Sequence, residues 1–480
     1  MINNWKKYGI LAASLLPASG AFANNFVDVT TPLTTASVEF QDADAVALVQ
    51  QGKTALAQNK PAEAQQYFDQ AIKKSKSKDA RIFAMIGQAY VDADAKDMTY
   101  ATKQLEAAVN LDPKNEAVLL TLGDIYLKQG DGGKALSSYD KAIAANSKSA
   151  KAYLKKGQLY GQARNFNSAK EALDAAVAAD PNYAPTYLEL AELYLRANQI
   201  PKSKEYIQKF VSMGENTPEN QAKYASILYL SKDYNAALTE IQKVLQADPN
   251  NIAMNRLLAY TYFETKQNDK ALEAMKAYFA KFDESKRIPS DYETYANILV
   301  EADKPQEAVE ILEKAKTLDP KNPLYNDLLA KQYAKLKNYP KVVETYKAKF
   351  AVTPPTNTDL YYYGQALELN NDYKTADSVY AVITTNNPTY AYAYLWRGRV
   401  NANLDPESTQ GLAKPHYEQF INIASADKEK YKKDLIVANS YLGYYYYLKK
   451  DKANAVKYWQ EVKTLDPTNT QATEALKALR

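Results

Sequence analysis

Pairs of small residues recur about every 34 positions along this chain, and that spacing restricts the fold more than any other feature of its 480 residues. One series runs Gly52, Gly87, Gly123, Gly157, Ala191, Ala225, Ala259, Ala296, Ala330, Gly364, Gly398 and Gly443. Its partner runs Ala64, Ala101, Ala135, Ala169, Ser203, Ala237, Ala271, Ala308, Val342, Ala376, Ala413 and Ala455, and the gap within a pair is twelve residues in ten of the twelve cases. Two helices that cross closely need a small side chain at the crossing, so a repeated helix pair accounts for both series. Each unit of such a stack touches only its neighbours, and the core grows along the axis instead of dividing into the two or three globular domains that the length alone would suggest.

Helical periodicity begins near Ala43 and continues to the end of the chain. Pro61, Pro201, Pro305 and Pro340 each stand shortly before an apolar helical face, as suits a first turn, where the missing N–H costs no hydrogen bond. Pro113, Pro181, Pro249, Pro320, Pro354, Pro388 and Pro467 fall at the ends of units, because the residue before a proline is pushed out of the helix. The spacing is disturbed at three places. The central loop of the second unit, around Lys96, is two residues longer, that of the eleventh, around Pro406 to Thr409, is three longer, and the register slips between Asp283 and Pro289. Bends in the stack are expected there.

One unit carries Gly123, Tyr126, Ala135, Tyr139 and Ala142, the next Tyr153, Gly157, Tyr160, Ala169, Leu173, Ala176 and Pro181, and the last Gly443, Tyr446, Ala455, Trp459 and Pro467. In these residues the sequence resembles the tetratricopeptide repeat family, whose 34-residue unit is a helix–turn–helix. The resemblance runs through about twelve repeats, from about Ala45 to Pro467. It implies an all-α fold, a right-handed superhelical solenoid of antiparallel helix pairs, here over residues 42–469. Residues 470–480 place Ala472, Ala475, Leu476 and Leu479 on one face and are expected to form a C-terminal capping helix. The resemblance also implies that the first helix of each pair lines a concave groove that holds a peptide segment or a protein surface.

The formal charge is +4, half of it from Lys6 and Lys7, and without a polybasic block nucleic acid is a poor candidate partner. The same two lysines precede a short apolar run, Ile10 to Leu16, and the small-x-small sequence Ala21-Phe22-Ala23. Residues 1–23 therefore read as a cleavable signal peptide, with a retained membrane anchor as the alternative. Residues 24–41, rich in Thr, Asn and Val and without helical period, read as a flexible leader. No later apolar run is long enough to span a membrane, so an exported protein, periplasmic or secreted, is expected. The absence of cysteine excludes disulfides, thiolate metal ligands, a cysteine nucleophile and lipid attachment at cysteine.

Most of the 40 tyrosines have a place in the framework. Tyr90, Tyr126, Tyr160, Tyr194, Tyr262, Tyr333 and Tyr446 share one signature position of the first helix, Tyr153, Tyr187, Tyr292 and Tyr394 share another, and all are expected in the core. The rest crowd toward the end, where residues 357–480 hold 16 of the 40. In this register Tyr361, Tyr362, Tyr392, Trp396, Tyr441, Tyr444 and Tyr447 face the groove of the last three repeats, with Arg399 one turn beyond Trp396 placed for an acidic group. Such rings anchor interfaces and stack on sugars, and they also pack against one another; both a binding patch and a filled groove are open readings. A carboxylate grip of Lys and Asn residues, known in some family members, is not carried over: Lys151 and Lys155 fit it, but Thr121 stands where Asn is required, and a solvated basic face is expected instead.

Catalysis finds little support. His416 is the single histidine, which leaves no histidine cluster for a metal, and beside Pro415 it is expected to cap a helix or face solvent. Gly130-Asp131-Gly132-Gly133-Lys134 faintly resembles a phosphate loop but follows a helix where a strand is needed. The acidic pairs Asp42 with Asp44 and Glu189 with Glu192 read as solvated faces. The chain is thus expected to be no enzyme, without catalytic residue, cofactor or metal, and to act as a scaffold or adaptor of the cell envelope that binds one or more envelope proteins. The alternative is a glycan-binding component of an extracellular polysaccharide system that uses the aromatic groove.

Overall fold

The computed structural model describes residues 43–320 and 322–480; the expected signal peptide and leader lie outside the described residues, as does Asp42. Among the described residues there are 25 α-helices and no strand. The chain divides into two compact units, the first ending at Phe282 and the second running from Asp283 to Arg480.

The first unit is seven successive helix pairs: α1 (Ala43–Ala57) with α2 (Pro61–Lys74), α3 (Ala80–Asp92) with α4 (Thr99–Leu111), α5 (Glu116–Lys128) with α6 (Gly132–Ala145), α7 (Ala150–Gln162) with α8 (Phe166–Ala179), α9 (Ala184–Arg196) with α10 (Ile200–Ser212), α11 (Pro218–Leu230) with α12 (Tyr234–Ala247), and α13 (Ile252–Glu264) with α14 (Asn268–Lys281). The second unit has five more: α15 (Pro289–Glu301) with α16 (Pro305–Leu318), α17 (Pro323–Lys335) with α18 (Tyr339–Phe350), α19 (Asn357–Leu369) with α20 (Tyr373–Asn386), α21 (Ala391–Leu404) with α22 (Lys414–Ala424), and α23 (Lys432–Leu448) with α24 (Lys452–Leu465). It ends in α25 (Thr470–Ala478). Within each unit every helix packs on the next. First helices of neighbouring repeats also touch directly, α1 with α3, α3 with α5, α7 with α9, α11 with α13 and α21 with α23, so they form the inner side of each stack.

The small-residue series does what its spacing implies. A Cβ added to Gly123 would stand 2.4 Å from the ring of Tyr139, one at Gly364 2.3 Å from Tyr380, and one at Gly443 2.7 Å from Trp459. The partner alanines, among them Ala135, Ala237, Ala376 and Ala455, are completely buried. Side chains of Asn115, Asp131, Ser149, Asn165, Thr217 and Asn251 accept backbone N–H bonds and start helices in the first unit, and Asn322, Asn338, Thr356, Asp372 and Asp451 do so in the second. Pro61 and Pro305 open their helices and Pro201 and Pro340 are second in theirs.

Between the two helices of nearly every repeat one residue turns into the left-handed region. Asn59, Asp94, Gly130, Arg164, Asn198, Lys232 and Lys266 do this in the first unit, and Asp303, Lys337, Asn371 and Lys450 in the second. The next N–H then reaches back five residues, as from Asp131 to the Tyr126 carbonyl at 2.8 Å and from Asn338 to Tyr333 at 2.9 Å. This closes the orphaned carbonyls of the first helix and aims the second.

The eleventh repeat departs from this rule. Its loop, 405–413, is organised by the buried Asp405, whose carboxylate accepts from the N–H groups of Thr409 at 3.0 Å, Gln410 at 2.9 Å and Gly411 at 2.7 Å. The longer loop of the second repeat, residues 93–98, is pinned by buried Met98. The slip between Asp283 and Pro289 contains a short 3-10 turn, Glu284–Lys286, and lies where the two units divide.

The core tyrosines divide. Tyr90, Tyr126, Tyr187, Tyr194, Tyr292 and Tyr333 are buried, whereas Tyr153, Tyr160, Tyr262, Tyr394 and Tyr446 are only partly covered. At the end of the second unit Ala472 and Leu479 join Ala455, Trp459 and Val462 in one apolar cluster, with Ala475 and Leu476 packed against it.

A candidate docking surface

Two residues before the crossing glycine, a first helix places a side chain at the edge of its inner face. In repeats ten to twelve that column is Tyr362, Trp396 and Tyr441, whereas in repeats three to six of the first unit the same column is Thr121, Lys155, Glu189 and Lys223. The helical frame is the same in both units, and the chemistry on its inner side is not.

In the first unit that inner side is ionic and satisfied. Lys155 Nζ meets Asp124 Oδ2 at 2.8 Å, Gln158 Nε2 donates to Glu189 Oε2 at 3.2 Å, and Lys223 Nζ meets Glu192 Oε1 at 3.2 Å. The members of each pair are 31 residues apart, one helical turn short of the repeat, so each contact ties a first helix to the next one along. Lys155, expected on a solvated basic face, is instead buried at 8% exposure, because Asp124 lies one repeat behind it. Glu192 is also buried where a solvated face was expected. Burial, and then the neighbouring Glu189, push its carboxyl above the usual range against the pull of Lys223 and Arg196.

In the second unit the eight expected groove residues fall into two groups. Trp396 on α21 is the centre of the first, with Tyr361 at 4.4 Å, Tyr380 at 5.4 Å, Tyr390 at 5.7 Å and Tyr392 at 6.4 Å between ring centroids. Tyr362 stands on Tyr361 at 5.0 Å, and Tyr431 on Tyr392 at 5.2 Å. Trp396 is therefore a partly buried keystone between tyrosines, while Tyr362 and Tyr390 offer open rings. Burial raises the Tyr390 hydroxyl above its ordinary range, helped by Tyr392 and Tyr431. Arg399 gives its fork to Glu368, with Nε to Oε1 at 2.5 Å and Nη2 to Oε2 at 2.7 Å, so an incoming acid would have to displace that carboxylate.

The second group is on α23. Tyr441 packs against Tyr417 at 5.0 Å and is half-covered. Tyr444 and Tyr447 are exposed and face α25 across a shallow cleft of about 300 Å³, which Trp459, Glu474, Ala475 and Ala478 complete.

Large apolar side chains are exposed very unevenly. Among the described residues the first unit shows one, Leu111, and the second shows fourteen, including Tyr362, Leu369, Tyr390, Val437, Tyr444, Tyr447 and Leu448 around the inner helices. Sequence reasoning missed Tyr390 and Tyr431. Both lie just outside their helices, where a register counted from helical positions assigns no face. For Tyr390 the available signal was its alternation with Tyr392 and Tyr394 at the start of α21.

The residues set aside for catalysis have structural places. Asp131 fills the would-be phosphate loop with its own carboxylate, accepting the Lys134 N–H at 2.9 Å, so an acid stands where an anion would have to bind. His416, expected to cap or face solvent, lies partly buried in the first turn of α22. Burial and then Arg397 hold its imidazole below the ordinary range, with Asp377 opposing. Arg397 Nε and Nη2 are fixed on Asp377 at 2.8 and 3.1 Å. Among the described residues no group of acidic and histidine side chains is placed to hold a metal ion, and no helix is long and apolar enough to cross a membrane.

Comparison with known families gives three matches, all to models described as tetratricopeptide repeat. One covers residues 49–116, 94–150 and 120–184, the second 162–227 and 228–288, and the third 292–322. Among solved structures, the C-terminal part of a TPR repeat-containing protein from Cytophaga hutchinsonii is 30% identical, covering 53% of this chain and 98% of its own, with a TM-score of 0.43. A tetratricopeptide repeat protein from Parabacteroides merdae is 15% identical over 53% of this chain and 98% of its own, with a TM-score of 0.37. PilF of Pseudomonas aeruginosa is 18% identical over 46% and 97%, with a TM-score of 0.38. No curated protein matches the sequence.

Proposed function

Since the chain belongs to the tetratricopeptide repeat family, whose domains in general bind peptides or proteins, we propose that it is a non-enzymatic scaffold whose second unit seats a protein partner on the inner side of α19, α21 and α23. The observation that carries this reading is the concentration of exposed large apolar side chains in the second unit against a single one among the described residues of the first. Such patches mark docking surfaces, whereas the ionic pairs within the first unit hold its own helices together. The enclosure of Trp396 by four tyrosines supports a protein partner over a stacked sugar, since the indole is partly buried among rings of the chain itself. The positive start, apolar run and small-x-small sequence within residues 1–23 support an exported scaffold, and the partner is then an envelope protein.

In-cell cross-linking with mass spectrometry tests both parts. Cross-links to envelope proteins are expected from lysines of the second unit such as Lys374 and Lys430. The double variant Tyr362→Ala, Tyr390→Ala should lose them while keeping its helical circular dichroism. Cross-links confined to the first unit, or a polysaccharide captured in place of protein and lost in the same variant, would overturn the proposal.

A further inference from the structure

Tyr362 and Leu369 stand seven residues apart on α19, so they share one side of the helix about 10 Å apart along its axis. They are 49% and 50% exposed. Repeats nine and eleven pack on either side of the repeat that carries them, so this exposure belongs to the interior of the stack. On α21 the partly covered Tyr392 and Trp396 continue the apolar surface, with the open ring of Tyr390 at its edge.

The two helices carry four charged side chains, and each is paired within the chain: Asp359 with Lys349, Glu368 with Arg399, and Arg397 with Asp377. The remaining polar groups beside the rings are neutral amides. Gln365 donates to the Tyr361 hydroxyl at 3.4 Å and Asn403 to the Arg399 carbonyl at 3.0 Å, which leaves their side-chain oxygens as acceptors. Arg399 uses two of its five N–H groups on Glu368, and its side chain is 47% exposed, so it keeps donors for a neutral oxygen. An acid in that place would strand Glu368, which is only 14% exposed, and a base would lose water without gaining a counter-charge. Lys331 on α17 and Lys430 before α23 lie outside these two helices, the latter with its ammonium 4.8 Å from the centroid of Tyr431.

We infer that the face formed by α19 and α21 takes an uncharged segment of the partner protein, in which large apolar side chains alternate with asparagine, glutamine, serine or threonine. The apolar side chains lie on Tyr362, Leu369 and Tyr390. Neutral carbonyls accept from Arg399, and amides or hydroxyls donate to Gln365 and Asn403. Leu369 favours side chains over a sugar, whose hydroxyls find no hydrogen-bond partner on an aliphatic group. Charged segments are turned away by the cost of desolvating them, so the surface selects by neutrality. This rests on the reading of the second unit as the docking unit and adds the partner's chemistry.

Selection of displayed random peptides on the full chain, followed by fluorescence anisotropy of the enriched peptides, tests it. Enriched peptides are expected to join large apolar residues with neutral polar ones, and their affinity should change less than about twofold between about 50 mM and about 500 mM salt. Replacing one of the peptide's neutral polar residues by Asp, or separately by Lys, should weaken binding at least about tenfold. Tyr362→Ala and Leu369→Ser, both at exposed positions, should each do the same while helical circular dichroism is kept. Enrichment of charged peptides whose affinity falls with salt, affinity unchanged in both variants, no enrichment, or capture of a neutral polysaccharide that Leu369→Ser abolishes would each overturn the inference. If such a result comes with cellular cross-links that still depend on Tyr362 and Tyr390, only the partner's chemistry is rejected; if those cross-links are lacking too, the scaffold reading falls with it.

Discussion

The side chains that lend themselves to chemical readings are individually accounted for by packing. His416 is the clearest case, since its depressed basicity follows from partial burial and from Arg397 beside it. The ordinary value for the side chain is 6.5, so as pH falls through that value the unfolded chain takes up the proton first and the folded state is disfavoured. Above it the imidazole is neutral in both states and contributes nothing. Melting temperature is therefore expected to drop between about pH 7 and about pH 5.5, and His416→Gln should lack that component of the drop. Parallel losses in the two proteins would show that the histidine is not involved. At this scale the sequence was informative wherever sterics decided the residue, as at Gly364, where a Cβ would meet Tyr380 at 2.3 Å. It was misleading wherever a partner one repeat away decided the environment. Lys155 and Glu192 look like surface charges in a helical wheel and are buried because Asp124 and Lys223 reach them from neighbouring helices.

Helices and the turns between them were legible where prolines and small-residue spacing mark them, whereas the side-chain caps and the left-handed residue that closes nearly every first helix had no reading in the sequence. Lys337 occupies that left-handed position at a φ of 56°, where a Cβ is crowded by the carbonyl oxygen and glycine is not. Lys337→Gly is expected to raise stability by up to about 1 kcal/mol, the relieved strain being partly offset by the greater freedom of the unfolded glycine. A urea titration decides this, with a lowered midpoint counting against it. The aromatic surface was only half legible on the same basis. Counting from Gly364 and Gly398 found Tyr361, Tyr362, Tyr392 and Trp396, but it could not show that Trp396 would be enclosed by its neighbours. Nor could it show that Tyr444 and Tyr447 would belong to a separate cleft with α25.

For the molecule as a whole, the three-residue slip before Pro289 proves more consequential than a local bend. It falls where the chain divides into two compact units, and the units differ in what their inner sides present. Residues 283–286 are exposed, and Lys286 and Arg287 offer cleavage sites between them. Brief trypsin treatment of the native chain is expected to yield two helical fragments that part near residue 286, and a ladder of cuts at every inter-repeat turn would contradict the two-unit division. Asp405 shows how such an array absorbs a change of length at one point. By gathering the amides of Thr409, Gln410 and Gly411 onto one buried carboxylate, it fixes both ends of its loop while Pro406 and Glu407 remain outside, exposed. A designer wishing to graft a foreign epitope into this protein should therefore insert it between Pro406 and Glu407, where one acid already anchors the graft's base.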